Sequence, residues 1–309
     1  MSAGPPPGGA PAADRIGLGI ASILAAVFFF AITDAVAKWL GQTYEPVQIV
    51  FLRYLFGLIP VVFLVWRAGG LGTLRTRRPF LHGLRALVIF TALLLLFTGL
   101  RRLPLAEAIS VAFTAPLFVT ALSGPLLGEP VRPRRWAAVL VGFLGALVVI
   151  RPGTGAFQTA SLIVLASALC FALSALITRR MSRTETSAAL LTYTTLGAGL
   201  ASLPIVPFVW QTPAPGDLWL FVAIGLIGGT AAYFVIQAYS NAPPAIVAPF
   251  DYTALIWAAL IGWIVWQERP EPAVWLGAAI IAASGLYITH REARTKPDDG
   301  ALPPEPKAN

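Results

Sequence analysis

Ten runs of apolar residues follow one another along this chain, at about 16–40, 46–66, 80–100, 104–127, 134–151, 158–179, 186–210, 217–240, 244–266 and 272–289. A helix rising 1.5 Å per residue needs roughly twenty such residues to cross about 30 Å of hydrocarbon, so each run has the length of a membrane span. Hydrophobic residues make up 57% of the chain and charged residues 12%, which leaves too little polar surface to cover a soluble globule. Short alternating segments of the outer-membrane barrel type are missing. The expected fold class is an all-α integral membrane protein.

Prolines punctuate the runs: Pro46, Pro79, Pro104, Pro133, Pro152, Pro215, Pro243 with Pro244, and Pro272 stand near starts or stops. A missing backbone donor costs little there. Residues 1–14, rich in Pro, Gly and Ala, and residues 292–309 read as disordered tails. The first tail lacks the basic start and cleavage site of a signal peptide, so the first run is expected to stay as a helix. The single Cys170 excludes an internal disulfide, and two histidines, His82 and His290, are too few for a metal cluster. No cofactor is expected.

The net charge of +8 sits in short clusters between the runs, which is a topology signal rather than a nucleic-acid footprint. With the N-terminus cytoplasmic, one side receives Arg15, Arg67, Arg75, Arg77, Arg78, Arg132, Arg134, Arg135, Arg179, Arg180, Arg183, Arg291, Arg294 and Lys296. The other receives only Lys38, Arg101, Arg102, Arg151 and Arg269. Both chain ends are therefore expected in the cytoplasm, and the protein as a multi-pass component of the inner (plasma) membrane.

The chain also repeats itself. A shift of 139 positions brings Pro104 onto Pro243, Ala106 onto Ala245, Thr114 onto Thr253, Glu129 onto Glu268 and Trp136 onto Trp275. At a shift of 141, Phe30 meets Phe171 and Lys38 meets Arg179. Two halves, 15–152 and 153–291, each of five spans, would insert upside down relative to one another. That is the inverted-repeat plan of secondary carriers, with the solute near the bilayer midplane and access alternating by rocking.

The stretch Thr91 to Ile109 (Thr-Ala-x3-Leu-Phe-Thr-Gly-Leu-Arg-Arg-Leu-Pro-Leu-Ala-Glu-Ala-Ile), Gly128-Glu-Pro before Trp136, and Phe250-Asp-Tyr-Thr-Ala-Leu with Glu268 resemble the drug/metabolite transporter superfamily. More closely they resemble its ten-helix branch with two EamA-type repeats. Phe30-Ala-Ile-Thr-Asp-Ala-x2-Lys-Trp-Leu and Pro46-x-Gln-x2-Phe-x-Arg-x-Leu-Phe look most like the S-adenosylmethionine and riboflavin uptake carriers of that branch. The resemblance implies a secondary transporter of a small organic metabolite, S-adenosylmethionine-, riboflavin- or amino-acid-like. Exporters of amino acids and other metabolites share the same motifs and stand as the alternative.

Charges within the runs mark the candidate site, because a charge near mid-bilayer is costly unless it faces a partner or a watered cavity. Asp34 and Arg53 lie at similar depths, about 9 and 10 Å from one end, and could pair. Arg85 and Asp251, each about 10 Å from the other end, could pair across the two halves as a gate. Tyr54, Tyr233, Gln237, Tyr252 and Trp257 complete a pocket suited to an aromatic or heterocyclic solute.

Structural roles compete for the same residues. Lys38 would snorkel to the interface with Asp34 as its i,i+4 partner. His82 and Arg85 would anchor lipid phosphates, Glu129 and Glu268 would cap turns, and Glu107 would favour the positive end of its helix. Trp39, Trp66, Trp136, Trp210, Trp219, Trp266 and Trp275 read as an interface belt. Gly197-x3-Ala201 and Gly225-x3-Gly229 read as close-packing faces.

Rival functions are weak. An intramembrane aspartyl protease needs two carboxylates sharing a proton, whereas Asp34 and Asp251 are expected in opposite leaflets. No phosphate loop for ATP exists, and the lysines are only Lys38, Lys296 and Lys307. A channel would show non-saturable flux. The expected partners are a small solute and the lipid bilayer, with no nucleic acid; the sequence leaves the oligomeric state open and is compatible with a monomer.

Overall fold

The apolar runs fold as helices in the computed structural model, which describes residues 12–128, 133–153, 158–182 and 184–295. In chain order these are α1 Ala12–Leu40, α2 Pro46–Arg67, α3 Pro79–Leu100, α4 Leu105–Ala112, α5 Ala115–Leu127, α6 Pro133–Ile150 and α7 Thr159–Met181. Then come α8 Ser187–Ser202, α9 Val206–Val209, α10 Pro215–Asn241, α11 Pro244–Val247, α12 Thr253–Trp266 and α13 Pro272–Thr295. Among the described residues, nine helical stretches are long and apolar enough to cross a membrane. The protein is an all-α multi-pass membrane protein. Proline opens α2, α3, α6, α10, α11 and α13. At the first helical position its lacking N–H has no intrahelical partner to lose.

Several runs depart from the simple expectation, each for a local reason. Helix α1 begins at Ala12, inside the expected tail, because Ala12 and Ala13 extend the helix without cost. The run 186–210 is not one helix: α8 stops at Ser202, and Pro204 and Pro207 leave only a one-turn α9. The run 104–127 breaks at Phe113 and Thr114, where Pro116 cannot donate to the carbonyl of Ala112. The run 244–266 begins as α11 and passes through a 3₁₀ turn at Ala248–Tyr252, opened by Pro249, before α12 starts. In both breaks a threonine hydroxyl adds a bond to a carbonyl of the preceding turn: Thr114 Oγ1 donates to Val111 O at 2.7 Å, and Thr253 Oγ1 donates to Phe250 O at 2.7 Å.

The main helix interfaces are α1 on α10, α6 on α13, α3 on α7, α2 on α10 and α2 on α8, and each joins the first half of the chain to the second. Small residues set how close they come. A Cβ on Gly225 would stand 2.5 Å from Phe56 Cβ and 2.8 Å from Gly57 N, so α10 and α2 touch backbone to backbone. Likewise a Cβ on Gly277 would stand 2.6 Å from Gly145 O, and one on Gly197 would stand 2.5 Å from Ala86 Cβ. Phe97, Leu100, Leu103, Leu105 and Phe221 fill the interior, while Leu144, Leu200, Phe208 and Ile264 lie on the outer surface, the side that hydrocarbon covers.

Two faces of the bundle can be named. The terminal face holds the start of α1 and the end of α13: Gly19 of α1 packs on Ala242, and Gly285 of α13 lies under the Tyr252 ring. The far face carries the turns after α1, α3, α6, α9 and α12. Replacing Gly225 by Val should wedge α2 from α10 and cost about 1–3 kcal/mol, read as a lower midpoint in denaturation of the detergent-solubilised protein. Gly199→Ala, whose Cβ would sit 3.7 Å from Tyr54 Cβ, should leave the midpoint unchanged.

Candidate functional site

Two cavities open between the halves. The first, about 420 Å³, runs from Leu105 on the far side to Thr289 towards the terminal face, past the helix breaks at Phe113 and Asp251. The second, about 440 Å³, lies between α2, α3, α8 and α10 and is lined by Arg53, Tyr54, Arg85, Thr194 and Thr195. They share four wall residues: Phe30 and Asp34 of α1, Leu96 of α3 and Phe171 of α7. Asp34 therefore stands at the junction, and Phe30 and Phe171, which match in the internal repeat, stand beside it.

The broken helices meet in the same place. Phe113 and Tyr252, themselves 139 positions apart, touch with their rings tilted by 42° and centroids 5.1 Å apart. Backbone that leaves the helical pattern at membrane depth is tolerated only inside protein or beside a watered cavity. Both breaks line the first cavity.

Of the residues expected from sequence, Asp34, Arg53, Tyr54 and Arg85 do come together, and Asp251 and Tyr252 join Asp34 in the first cavity. The expected pairs do not form. Asp34 and Arg53 line the same cavity, yet they are not among the ion pairs within 4.0 Å. Arg53 Nη1 is buried without a hydrogen-bond partner among the described residues, and its Cζ lies 5.9 Å from the centre of the Phe97 ring. Arg85 does not reach Asp251. It donates from Nε to Thr178 Oγ1 at 2.6 Å, from Nη1 to Leu190 O at 2.8 Å, and to Thr194 Oγ1. Asp251 instead accepts a 3.3 Å hydrogen bond from Tyr239 Oη. Helix counting placed both charges at similar depth but could not fix which face of α3 looks at which neighbour.

Three expected pocket residues line neither cavity. Gln237 Nε2 donates to Tyr233 Oη at 2.6 Å, one turn away on α10, so the two satisfy each other. Trp257 packs edge-on against Phe28, at 4.8 Å between centroids. His82 does not reach lipid: it is buried, 3.3 Å from Glu185 Oε2. Glu107 is buried as well and accepts from Ser161 Oγ at 3.3 Å. Glu129 lies outside the described residues.

Lys38 departs furthest from expectation, while Glu268 does sit in a turn and cap a helix, the start of α4. Rather than snorkelling or pairing with Asp34, Lys38 is buried, forms an ion pair with Glu268 Oε1 and donates to Leu103 O at 2.8 Å. Glu268 Oε2 in turn accepts from Leu105 N at 2.8 Å. Trp266 covers the ammonium, its ring centre 5.0 Å from Nζ. This cluster ties α1, α4 and the end of α12 together beside Leu105, at the far end of the first cavity. Around it the far face holds further links between the halves: Tyr44 Oη donates to Asp217 at 2.8 Å, Gln48 Nε2 donates to Gln211 O at 2.6 Å, and Arg151 pairs with Glu271.

A bundle of membrane helices with a charged interior cavity, helix breaks at its centre and no group of three or more potential metal ligands among the described residues has the make-up of a solute carrier. The model of the EamA-like transporter family matches residues 17–151 and again 158–289, and the chain belongs to that family. It is 30% identical to the S-adenosylmethionine uptake transporter of Rickettsia prowazekii over 90% of this chain and 94% of that protein. It is 32% identical to a riboflavin transporter of Rhizobium johnstonii, covering 86% and 88% of the two chains, and 27% identical to a pseudopaline exporter of Pseudomonas aeruginosa, covering 89% and 97%. A solved crystal structure superposes with a TM-score of 0.63 at 22% identity, over 93% of this chain and 100% of that one, which shows the fold alone. The protein is a secondary transporter of small metabolites.

Removing one member of a buried ion pair strands the other charge. Lys38→Met should therefore lower the stability of the solubilised protein by about 3 kcal/mol in chemical denaturation. Adding Glu268→Gln, which keeps an acceptor for Leu105 N, should recover most of that loss.

Proposed function

We propose that this chain takes up a small organic metabolite of the S-adenosylmethionine, riboflavin or amino-acid kind across the inner membrane, by alternating access. In this reading the chain makes ten spans in two inverted repeats, 15–152 and 153–291, with both ends in the cytoplasm. Asp34, Arg53, Tyr54, Arg85, Asp251 and Tyr252 bind or gate the solute.

The observation that carries the reading is the junction itself. Asp34 and the repeat-matched Phe30 and Phe171 divide two cavities, and the repeat-matched Phe113 and Tyr252 touch at the helix breaks. Supporting it, the helix contacts exchange under the repeat match: α1 with α10 corresponds to α7 with α3, and α2 with α10 to α8 with α3. The polar links on the far face close that end, while the first cavity extends towards the terminal face. This is an arrangement facing the cytoplasm. Similarity to a pseudopaline exporter favours export as the second reading.

The test is flux in proteoliposomes of known orientation, with S-adenosylmethionine, riboflavin and amino acids as probes. Saturable uptake with countertransport of one class is expected, and Asp34→Asn should reduce it by about tenfold or more. Tyr233→Phe, outside the cavities, should leave it intact. Flux proportional to concentration without countertransport would point to a channel, and net outward flux to an exporter. Labelling of single cysteines placed at either chain end, in a Cys170→Ser background, should proceed from the cytoplasmic side alone.

A further inference from the structure

The two cavities differ in the kind of ionisable group they present. Among the described residues, the first is lined by two acidic side chains, Asp34 and Asp251, with no Lys, Arg or His in its wall. Around the second stand two guanidinium groups, Arg53 and Arg85, against the one carboxylate of Asp34. We infer that the solute is a zwitterion that lies across the junction, its anionic group on Arg53 in the second cavity and its cationic group on Asp34 at the mouth of the first. The inference rests on the carrier reading and narrows it: of the three solute classes, a neutral flavin is the poorest match.

The two arginines are not equivalent. Arg85 spends its donors on Thr178, Leu190 and Thr194, and so holds its place as a fixed positive charge in the wall. Arg53 has Nη1 buried and unpartnered by any described protein group, beside the wall it shares with Asp34. A guanidinium lacking a carboxylate partner inside a membrane protein is costly, and a planar carboxylate is the ligand its fork geometry fits. Gly228 lets the guanidinium lie close against α10, since a Cβ there would stand 3.1 Å from both Arg53 Cζ and Nη2. At the other end, Asp251 accepts from Tyr239, while Asp34 has no side-chain partner among the described hydrogen bonds and ion pairs.

Between the charged ends the shared wall is aromatic and aliphatic, formed by Phe30, Leu96 and Phe171. A solute with an apolar or heterocyclic body beside its charged groups would rest there. Either cavity alone has the volume of a small-molecule site. A second, uncharged solute would leave Arg53 and Asp34 both unmatched, and buried polar groups left unpaired are what a selective site uses for rejection.

Equilibrium binding to the full chain in detergent micelles separates the possibilities. The probes are S-adenosylmethionine and the common α-amino acids, each compared with its decarboxylated amine, and riboflavin. At least one zwitterion should bind about tenfold or more tightly than its decarboxylated amine, and Arg53→Gln should collapse that difference. Arg53→Lys, which keeps the charge but loses the fork, should give an intermediate ratio and shows that the variant site still folds. Riboflavin as the tightest ligand, equal affinity for amine and zwitterion, or no zwitterion bound by the wild-type protein would each overturn the inference. The carrier reading fails separately, if a zwitterion binds with this pattern yet liposomes containing the protein do not move it.

Discussion

Hydrocarbon offers nothing for a peptide group to hydrogen-bond, and the rest of this structure follows from that. Every span must close its own backbone bonds, so continuous helices face the lipid, and any break must be turned inward. Of the proline-associated breaks among the described residues, those at Phe113–Thr114 and at Ala248–Tyr252 both line the first cavity, while the one between α8 and α9 lies near the far-face turn that follows it. Each of the first two gains a bond from a threonine hydroxyl three residues on from the carbonyl it serves. Placing these two stretches of irregular backbone in one shared spot gives the bundle a polar centre without exposing polar groups to lipid.

The same constraint explains how much could be seen in advance. The membrane helices and their proline starts follow from run length and from proline's missing donor, both of which are properties of the chain alone. Asp34, Arg53, Tyr54 and Arg85 stood out because ionised or polar groups in long apolar runs need a reason to be there, and they do share a cavity. What could not be seen was rotation about each helix axis. Arg85 and Asp251 have matching depth, yet α3 turns Arg85 to the hydroxyls of α7 and α8. Thr178, Thr194 and Thr195 went unnoticed because a threonine in a membrane helix more often bonds its own backbone, which Thr178 and Thr194 also do here. Glu268 looked like a turn residue and no more, since nothing in the local sequence says that Lys38, far away in the chain, would come to it.

Charge is distributed by function rather than by depth. At the far face three ion pairs form: Lys38 with Glu268, Arg101 with Glu45 and Arg151 with Glu271. Such pairs hold one geometry and let few others compete. In the interior the charges are held apart, carboxylates on one side of Asp34 and guanidiniums on the other. Unmatched interior charge lowers stability, and a carrier gains from it only if the solute supplies the missing partner. Burial of Lys38 and exposure of Arg53 to a cavity are thus two outcomes of one rule.

Leu105 connects the two regions. Its N–H is held by Glu268 at the far face, and its side chain forms part of the first cavity's wall. Under alternating access the far face has to open, and drawing Glu268 away would take a partner from two groups at once: Leu105 N, and the Lys38 ammonium, which would keep only its bond to Leu103 O. Leaving either alone against hydrocarbon or an apolar wall is unfavourable, whereas water reaching both restores the lost bonds. In that reading the cluster is either intact and dry or separated and wet. Because Leu105, the first residue of α4, belongs to both the cluster and the wall of the first cavity, any displacement of the cluster is transmitted directly to that cavity.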